Sequence, residues 1–174
     1  MSDITCRRCH SANETLGHVL GQCTFVKPQR IHRHNEIVSL CRSEFIDKHP
    51  AGRYMIESPF TVDGKRLKPD LILWDAEESY IVDVTVRLEQ GNSLGKANME
   101  KILKYECLYP EVLNITGATH CRVLPIVVGS RGSLPPKTLS NLSLLSKRPK
   151  HTGLTSVLVA LRTSIEMSNR FLDG

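Results

Sequence analysis

Two aspartates sit inside apolar runs of the stretch KRLKPDLILWDAEESYIVDVTV, at positions 70 and 83. Around them Leu71, Leu73, Tyr80, Val82 and Val84 alternate as core-facing positions of two strands, joined through the tight acidic connection DAEE. A turn centred on Ala76 and Glu77 sets Trp74 opposite Ser79 and Ile72 opposite Ile81, and the same register sets Asp70 opposite Asp83. Facing side chains in an antiparallel pair have Cβ atoms about 4.5–5.5 Å apart, where like charges repel. A divalent cation held by both carboxylates and the Val84 carbonyl removes that repulsion, and Mg²⁺ characteristically takes one or two carboxylates while keeping waters. Other readings stay open: Asp70 as a strand-start residue after Pro69, and Asp83 as the ion-pair partner of Arg66, Lys68 or Arg87.

Downstream, Lys101, Lys104 and Tyr105 share one face of a predicted helix. If that helix packs beside the second strand, a lysine is aimed at the aspartates, where it can polarise a water or offset charge developing on a phosphate. A second cluster lies near the N-terminus: Cys6, Cys9, His18 and Cys23 follow the pattern C-x2-C-x8-H-x4-C. A segment this short cannot bury a core of its own, and three thiolates with one imidazole suit a closed, structural Zn²⁺ site. His10 is a less well spaced alternative to His18. Arg7 and Arg8 either touch phosphates or are merely solvated.

The elements that must position these groups are legible in outline. With 174 residues, 40% of them hydrophobic, the chain can bury one main core plus a small satellite. A net charge of +5 favours an acidic or phosphate-bearing partner. No apolar run approaches the roughly 18 residues of a membrane span, and clustered rather than paired cysteines suit a reducing compartment, so a soluble intracellular protein is expected. After Pro28, Ile31, Ile37, Val38, Leu40, Cys41, Phe45 and Ile46 mark a helix ending near His49 and Pro50. RYMIESPFTV and LKPDLILW read as strands turning at Asp63-Gly64, and SYIVDVTV reads as a third. A helix follows from Ser93 with Pro110 as its stop, then a fourth strand, CRVLPIVVG, whose Pro125 marks an edge or bulge. Leu139, Leu142 and Leu145 suggest a short helix, and Lys147 to His151 a basic loop. Finally, Leu154, Val157, Leu158, Leu161, Ile165 and Leu172 predict an amphipathic helix whose leucines cap the sheet.

Two carboxylates on adjacent strands, followed by a lysine within helix, three strands, helix, strand, resemble the PD-(D/E)xK nuclease fold, an α/β core. The usual lysine, two residues after the second acid, is replaced by Thr85. The zinc-knuckle pattern, RHN at residues 33–35, KPD at 68–70 with twelve residues between it and Asp83, and the displaced K-x2-K-Y at 101–105 together resemble the restriction-like endonuclease domain of site-specific non-LTR retrotransposons. That resemblance runs from Cys6 to about Tyr105. It implies a CCHC zinc knuckle over residues 1–27 and an endonuclease domain over 28–174, excised from a larger polyprotein that begins before Met1.

The resemblance further implies nuclear, Mg²⁺- or Mn²⁺-dependent nicking of double-stranded DNA, whose freed 3′-hydroxyl primes reverse transcription of the element's RNA by the polyprotein's reverse transcriptase. A second copy could serve second-strand cleavage. Asp70, Asp83 and Val84 carry over as the metal site and Lys101 as the catalytic lysine, with Lys104 beside it and Tyr105 in support. Glu36 is added because related folds often place an acid on the first helix. Arg33 and His34 bind phosphate or brace that helix, and Lys68 joins the nucleic-acid-binding set. The rival readings are a non-catalytic nucleic-acid-binding module and a structure-selective, junction-resolving nuclease.

Overall fold

A computed structural model describes residues 4–173; residues 1–3 and 174, the ends of the two expected units, lie outside the described residues. The chain is a mixed α/β structure with a cysteine-rich cluster at its N-terminal end. Its elements are α1 (Leu16–Gly21), α2 (Lys27–Lys48), β1 (Arg53–Ile56), β2 (Phe60–Val62), β3 (Lys65–Leu67), β4 (Leu71–Trp74) and β5 (Glu78–Arg87). Then come α3 (Ser93–Tyr105), α4 (Tyr109–Thr116), β6 (His120–Gly129), α5 (Pro136–Leu145) and α6 (Pro149–Asp173).

Four strands form one sheet in the order β1-β4-β5-β6, antiparallel except for the parallel pair β5 and β6. The expected register is present: Trp74 pairs with Ser79, Ile72 with Ile81 and Leu71 with Val82. The connecting turn is fixed by Asp75, whose carboxylate accepts the Glu77 and Glu78 amides, both at 2.9 Å. β6 is an edge strand, which explains how Pro125 is tolerated opposite Asp83. Side-chain alternation splits the sheet into two apolar faces. Leu71, Leu73, Tyr80, Val82, Val84, Leu124 and Ile126 pack against Ile37, Cys41 and Phe45 of α2 and Leu142 and Leu145 of α5. Ile72, Ile81 and Val123 pack on the other side against Tyr105, Leu108 and Val112.

Several expectations need correction. The two long strands predicted around Asp63-Gly64 are each broken, because Pro59 and Pro69 interrupt the ladder. The turn, with φ of 49° at Asp63 and 73° at Gly64, closes only the small β2–β3 hairpin, while β1 and β4 pair in the main sheet. Pro110 does not stop the chain's helical path. It sits at the start of α4, where a missing N–H costs nothing. Likewise Pro149 opens α6, so the second half of the basic segment 147–151 is helical rather than loop.

The largest correction concerns α6. Its leucines do not cap the sheet, because α2 and α5 already cover that face. α6 packs chiefly on α2 and α5, touching the sheet at β6, and turns inward a face of small residues, Thr152, Gly153, Ser156, Ala160, Thr163 and Ser164, ending in Met167 and Phe171. Small side chains allow close approach, and the hydroxyls of Ser156 and Ser164 are satisfied by the carbonyls one turn back. Leu154, Leu158, Leu161, Ile165 and Leu172 face outward. Ala160→Leu should therefore destabilise the chain by about 1–3 kcal/mol through overpacking, whereas Leu158→Ser should change stability by under ~1 kcal/mol. Urea unfolding of the two variants checks this, and the reverse ranking would restore the leucine face to the core.

Candidate functional site

At the end of the sheet where β4 begins, the Lys68-Pro69-Asp70 segment leaves the ladder and Asp70 bends across to β5. One carboxylate oxygen, Oδ2, accepts the Val84 amide at 2.7 Å and lies 3.0 Å from Nε2 of His34 on α2. Asp70 is therefore fastened to the residue adjoining Asp83. Asp83 is 3% exposed and projects from β5 towards α3, where Lys101 Nζ lies 2.6 Å from its Oδ1. The hydrogen bond that His34 donates to Asp70, acting against burial, holds the imidazole above its ordinary pKa and favours the protonated form.

Tyr105, the last residue of α3, is fully buried, and its hydroxyl donates to the Lys68 carbonyl at 3.1 Å. It thereby ties the KPD segment to the helix that carries Lys101. Burial first, then the neighbouring Asp83, push the phenol's pKa up, so Tyr105 stays a hydrogen-bond donor. Two depressions flank His34. One, of about 290 Å³, is lined by His34, Asn35, Arg42, Ile56, Glu57 and Asp70 among others. The other, of about 210 Å³, is lined by Arg30, Arg33, His34, Val84, Thr85 and Val86. Arg30, His34, Val38 and Arg42 recur every four residues on α2, so one helical face carries cations past the acids.

The remaining sequence-derived candidates lie elsewhere. Lys104 is exposed and stacks 4.6 Å from the Tyr105 ring centroid rather than reaching the carboxylates. Glu36 faces α6, bound by Arg162 at 2.9 Å and by His32 at 3.2 Å. Lys68 pairs with Glu57 at 2.7 Å at the rim. Arg33 is 2% exposed, donating to Ser164 Oγ and the Leu20 carbonyl, both at 3.0 Å, so it bolts α1 and α6 to α2 and presents nothing to a phosphate. Arg7 pairs with Glu14. Arg8 donates to the Phe171 and Leu172 carbonyls at the end of α6 and lies over the Phe25 ring. Sequence reasoning missed Arg30 and Arg42, although their four-residue spacing with His34 was the available signal.

The N-terminal ligand atoms do converge. Those of Cys6, Cys9, His18 and Cys23 lie within 4.8 Å of one another, with the Cys6 and Cys23 sulfurs 3.9 Å apart and Cys9 Sγ 3.1 Å from His18 Nε2. A tetrahedron with metal–sulfur bonds of about 2.3 Å has edges of about 3.8 Å, so the set can hold a metal ion. Thr15 starts the helix that delivers His18, its hydroxyl accepting the His18 amide at 3.1 Å. The Ser11 hydroxyl and amide pull the Cys9 thiol down to about 6, towards the thiolate a metal needs. His10, exposed and at φ 53°, stands outside the cluster, which resolves the alternative ligand in favour of His18. All six cysteines are free thiols, and among the described residues no helix is long and apolar enough to cross a membrane.

No family model matches the chain. It is 30% identical over 138 residues, 74% of its length, to a retrovirus-related Pol polyprotein from type-1 retrotransposable element R2 of Popillia japonica. A second such polyprotein from that organism is 27% identical over 174 residues, 97% of this chain. The chain is homologous to part of an R2 Pol polyprotein. It spans only about a quarter of the length of these relatives, 27% and 28%. A solved toscana virus cap-snatching endonuclease superposes with a TM-score of 0.41 at 18% identity, covering 75% of this chain and 66% of that one, a likeness too loose to define a shared fold.

Element analysis should find one thiophilic metal ion per chain. Cys6→Ser or Cys23→Ser should lose it, while the exposed Cys107→Ser should retain it. Metal retained in the Cys6 and Cys23 variants would contradict the cluster.

Proposed function

We propose that the chain is the endonuclease module of an R2-like retrotransposon polyprotein, with a PD-(D/E)xK core of α2, β1, β4, β5, α3 and β6 and a structural Zn²⁺ in the knuckle. It nicks double-stranded DNA in the nucleus to supply a 3′-hydroxyl primer for the polyprotein's reverse transcriptase. The observation carrying this reading is the arrangement at the strand ends: Asp70 on the Val84 amide, Asp83 beside it in sequence, and Lys101 on Asp83 from the neighbouring helix.

Asp70, Asp83 and the Val84 carbonyl form a hard oxygen donor set suited to Mg²⁺ or Mn²⁺. Such an ion, when bound, would lower the pKa of water and stabilise charge on the phosphate. The chain's own residues do the rest. Hydrolysis forms a bond from water oxygen to phosphorus and breaks the bond to the 3′ oxygen, which leaves protonated, giving 5′-phosphate and 3′-hydroxyl ends. Lys101 has three ammonium donors and spends one on Asp83, so it can also bind the attacking water or a phosphate oxygen as negative charge grows there. This function needs only that the ammonium reach the acids, which explains why a helical lysine can replace the one missing at Thr85. His34 is a positioning residue that orients Asp70, and Tyr105 positions the KPD segment. Arg42 lines the depression that Asp70 borders and is placed to hold the DNA backbone beside the scissile linkage, whereas Arg30 lines the neighbouring depression and donates to the Gly21 carbonyl.

On supercoiled plasmid with Mg²⁺ or Mn²⁺, Asp70→Asn and Asp83→Asn should each reduce nicking by roughly 10²-fold or more while circular dichroism shows an intact fold. Either variant cutting at the normal rate would overturn the site, and activity favouring branched over linear DNA would support the junction-resolving reading instead. Arg42→Gln should weaken DNA binding uniformly across sequences and flatten the slope of log affinity against log salt by about 1. An unchanged slope would remove Arg42 from the DNA path.

A further inference from the structure

The outward face of α6 has no partner among the described residues, and its spacing is ordered. Leu154, Leu158, Leu161, Ile165 and Leu172 follow one another at intervals of four, three, four and seven, the seam of a helix that packs on another helix. They are between 37% and 64% exposed. The stripe does not stop at the helix end: Leu172 and Phe171 border a depression of about 270 Å³ shared with Leu16 and Val19 of α1. Lys150 and His151, both exposed, lie at its other end.

We infer that this stripe is a docking seam for an amphipathic helix supplied by another part of the same polypeptide. The inference rests on the homology to a longer polyprotein and is independent of nuclease activity. Area separates this occupant from a second copy. Burying a leucine contributes about 1.5–3 kcal/mol at about 25 cal/mol per Å², so five half-exposed side chains offer on the order of 150–300 Å² per partner. A stable association between free proteins needs about 800 Å² per partner. A helix tethered in the same chain escapes that requirement, because its effective concentration replaces binding area. The relatives supply such chain, since this module matches only 27% of one and 28% of another. The basic end made by Lys150 and His151 calls for acidic residues opposite it on the docked helix.

The test places a photo-reactive benzoylphenylalanine at Leu161 of the full-length polyprotein carrying this chain, with the same group at exposed Leu103 of α3 as control. The expected result is a crosslink at Leu161, absent at Leu103, that stays within one polypeptide and maps to a helix outside this module. Adding Leu158→Glu should abolish it; since that side chain is 55% exposed, folding of the variant is not at issue. Crosslinks only between two polypeptides would assign the seam to a second copy, and none above the control would leave it solvated; either result overturns the inference.

Discussion

Two carboxylates brought to one end of the sheet impose the constraint on which this molecule is arranged. The register of β4 and β5 carries Asp70 and Asp83 to the same end of the sheet. The fold answers by giving each acid a donor from a different element: the Val84 amide and His34 for Asp70, Lys101 for Asp83. A carboxylate as buried as Asp83 would be costly alone, and losing the partner of a buried pair typically costs about 3–5 kcal/mol. α3 must therefore lie where Lys101 can reach β5, and Tyr105 fixes that position by gripping the Lys68 carbonyl. Stability and chemistry thus use the same contacts.

The N-terminal cluster is bound into this arrangement rather than appended to it. Cys6, Val19, Leu20 and Cys23 share an apolar cluster with Met167 and Phe171 of α6. Arg33 reaches from α2 to the Leu20 carbonyl and Ser164, and its pKa is lowered to about 10 by burial, the signature of a cation used as a brace. Its neighbour His34 reaches Asp70 instead. Adjacent residues of one helix therefore contact the cysteine-rich end and the acidic site.

What the sequence made legible was local. The DAEE turn has one economical geometry, so the β4–β5 register from Leu71 to Trp74 could be read from it, although the pairing stops one residue short of Asp70, and metal-ligand spacing named the four converging side chains. Helical periodicity put Lys101 on the face of α3 that reaches Asp83. What escaped depends on which layer an element occupies. The leucines of α6 look like a core face, but periodicity cannot say that α2 and α5 have already filled the sheet, and so the small-residue face won the interior. For Arg33 the sequence left phosphate binding and bracing both open, and Arg8 read as a phosphate-binding or solvated cation, because their acceptors, the carbonyls of Leu20, Phe171 and Leu172, carry no sequence signal. Glu36 was drawn to the acids by its place on α2, yet it faces the opposite side, towards Arg162.

The central claim is that the two strand-end carboxylates grip one divalent ion. Anomalous diffraction from a Mn²⁺-soaked crystal tests it most directly. A peak within coordination distance of both Asp70 and Asp83, about 2–2.5 Å from their oxygens, is the result this account requires. A Mn²⁺-saturated crystal with no density there, and with Lys101 still closed on Asp83, would contradict it.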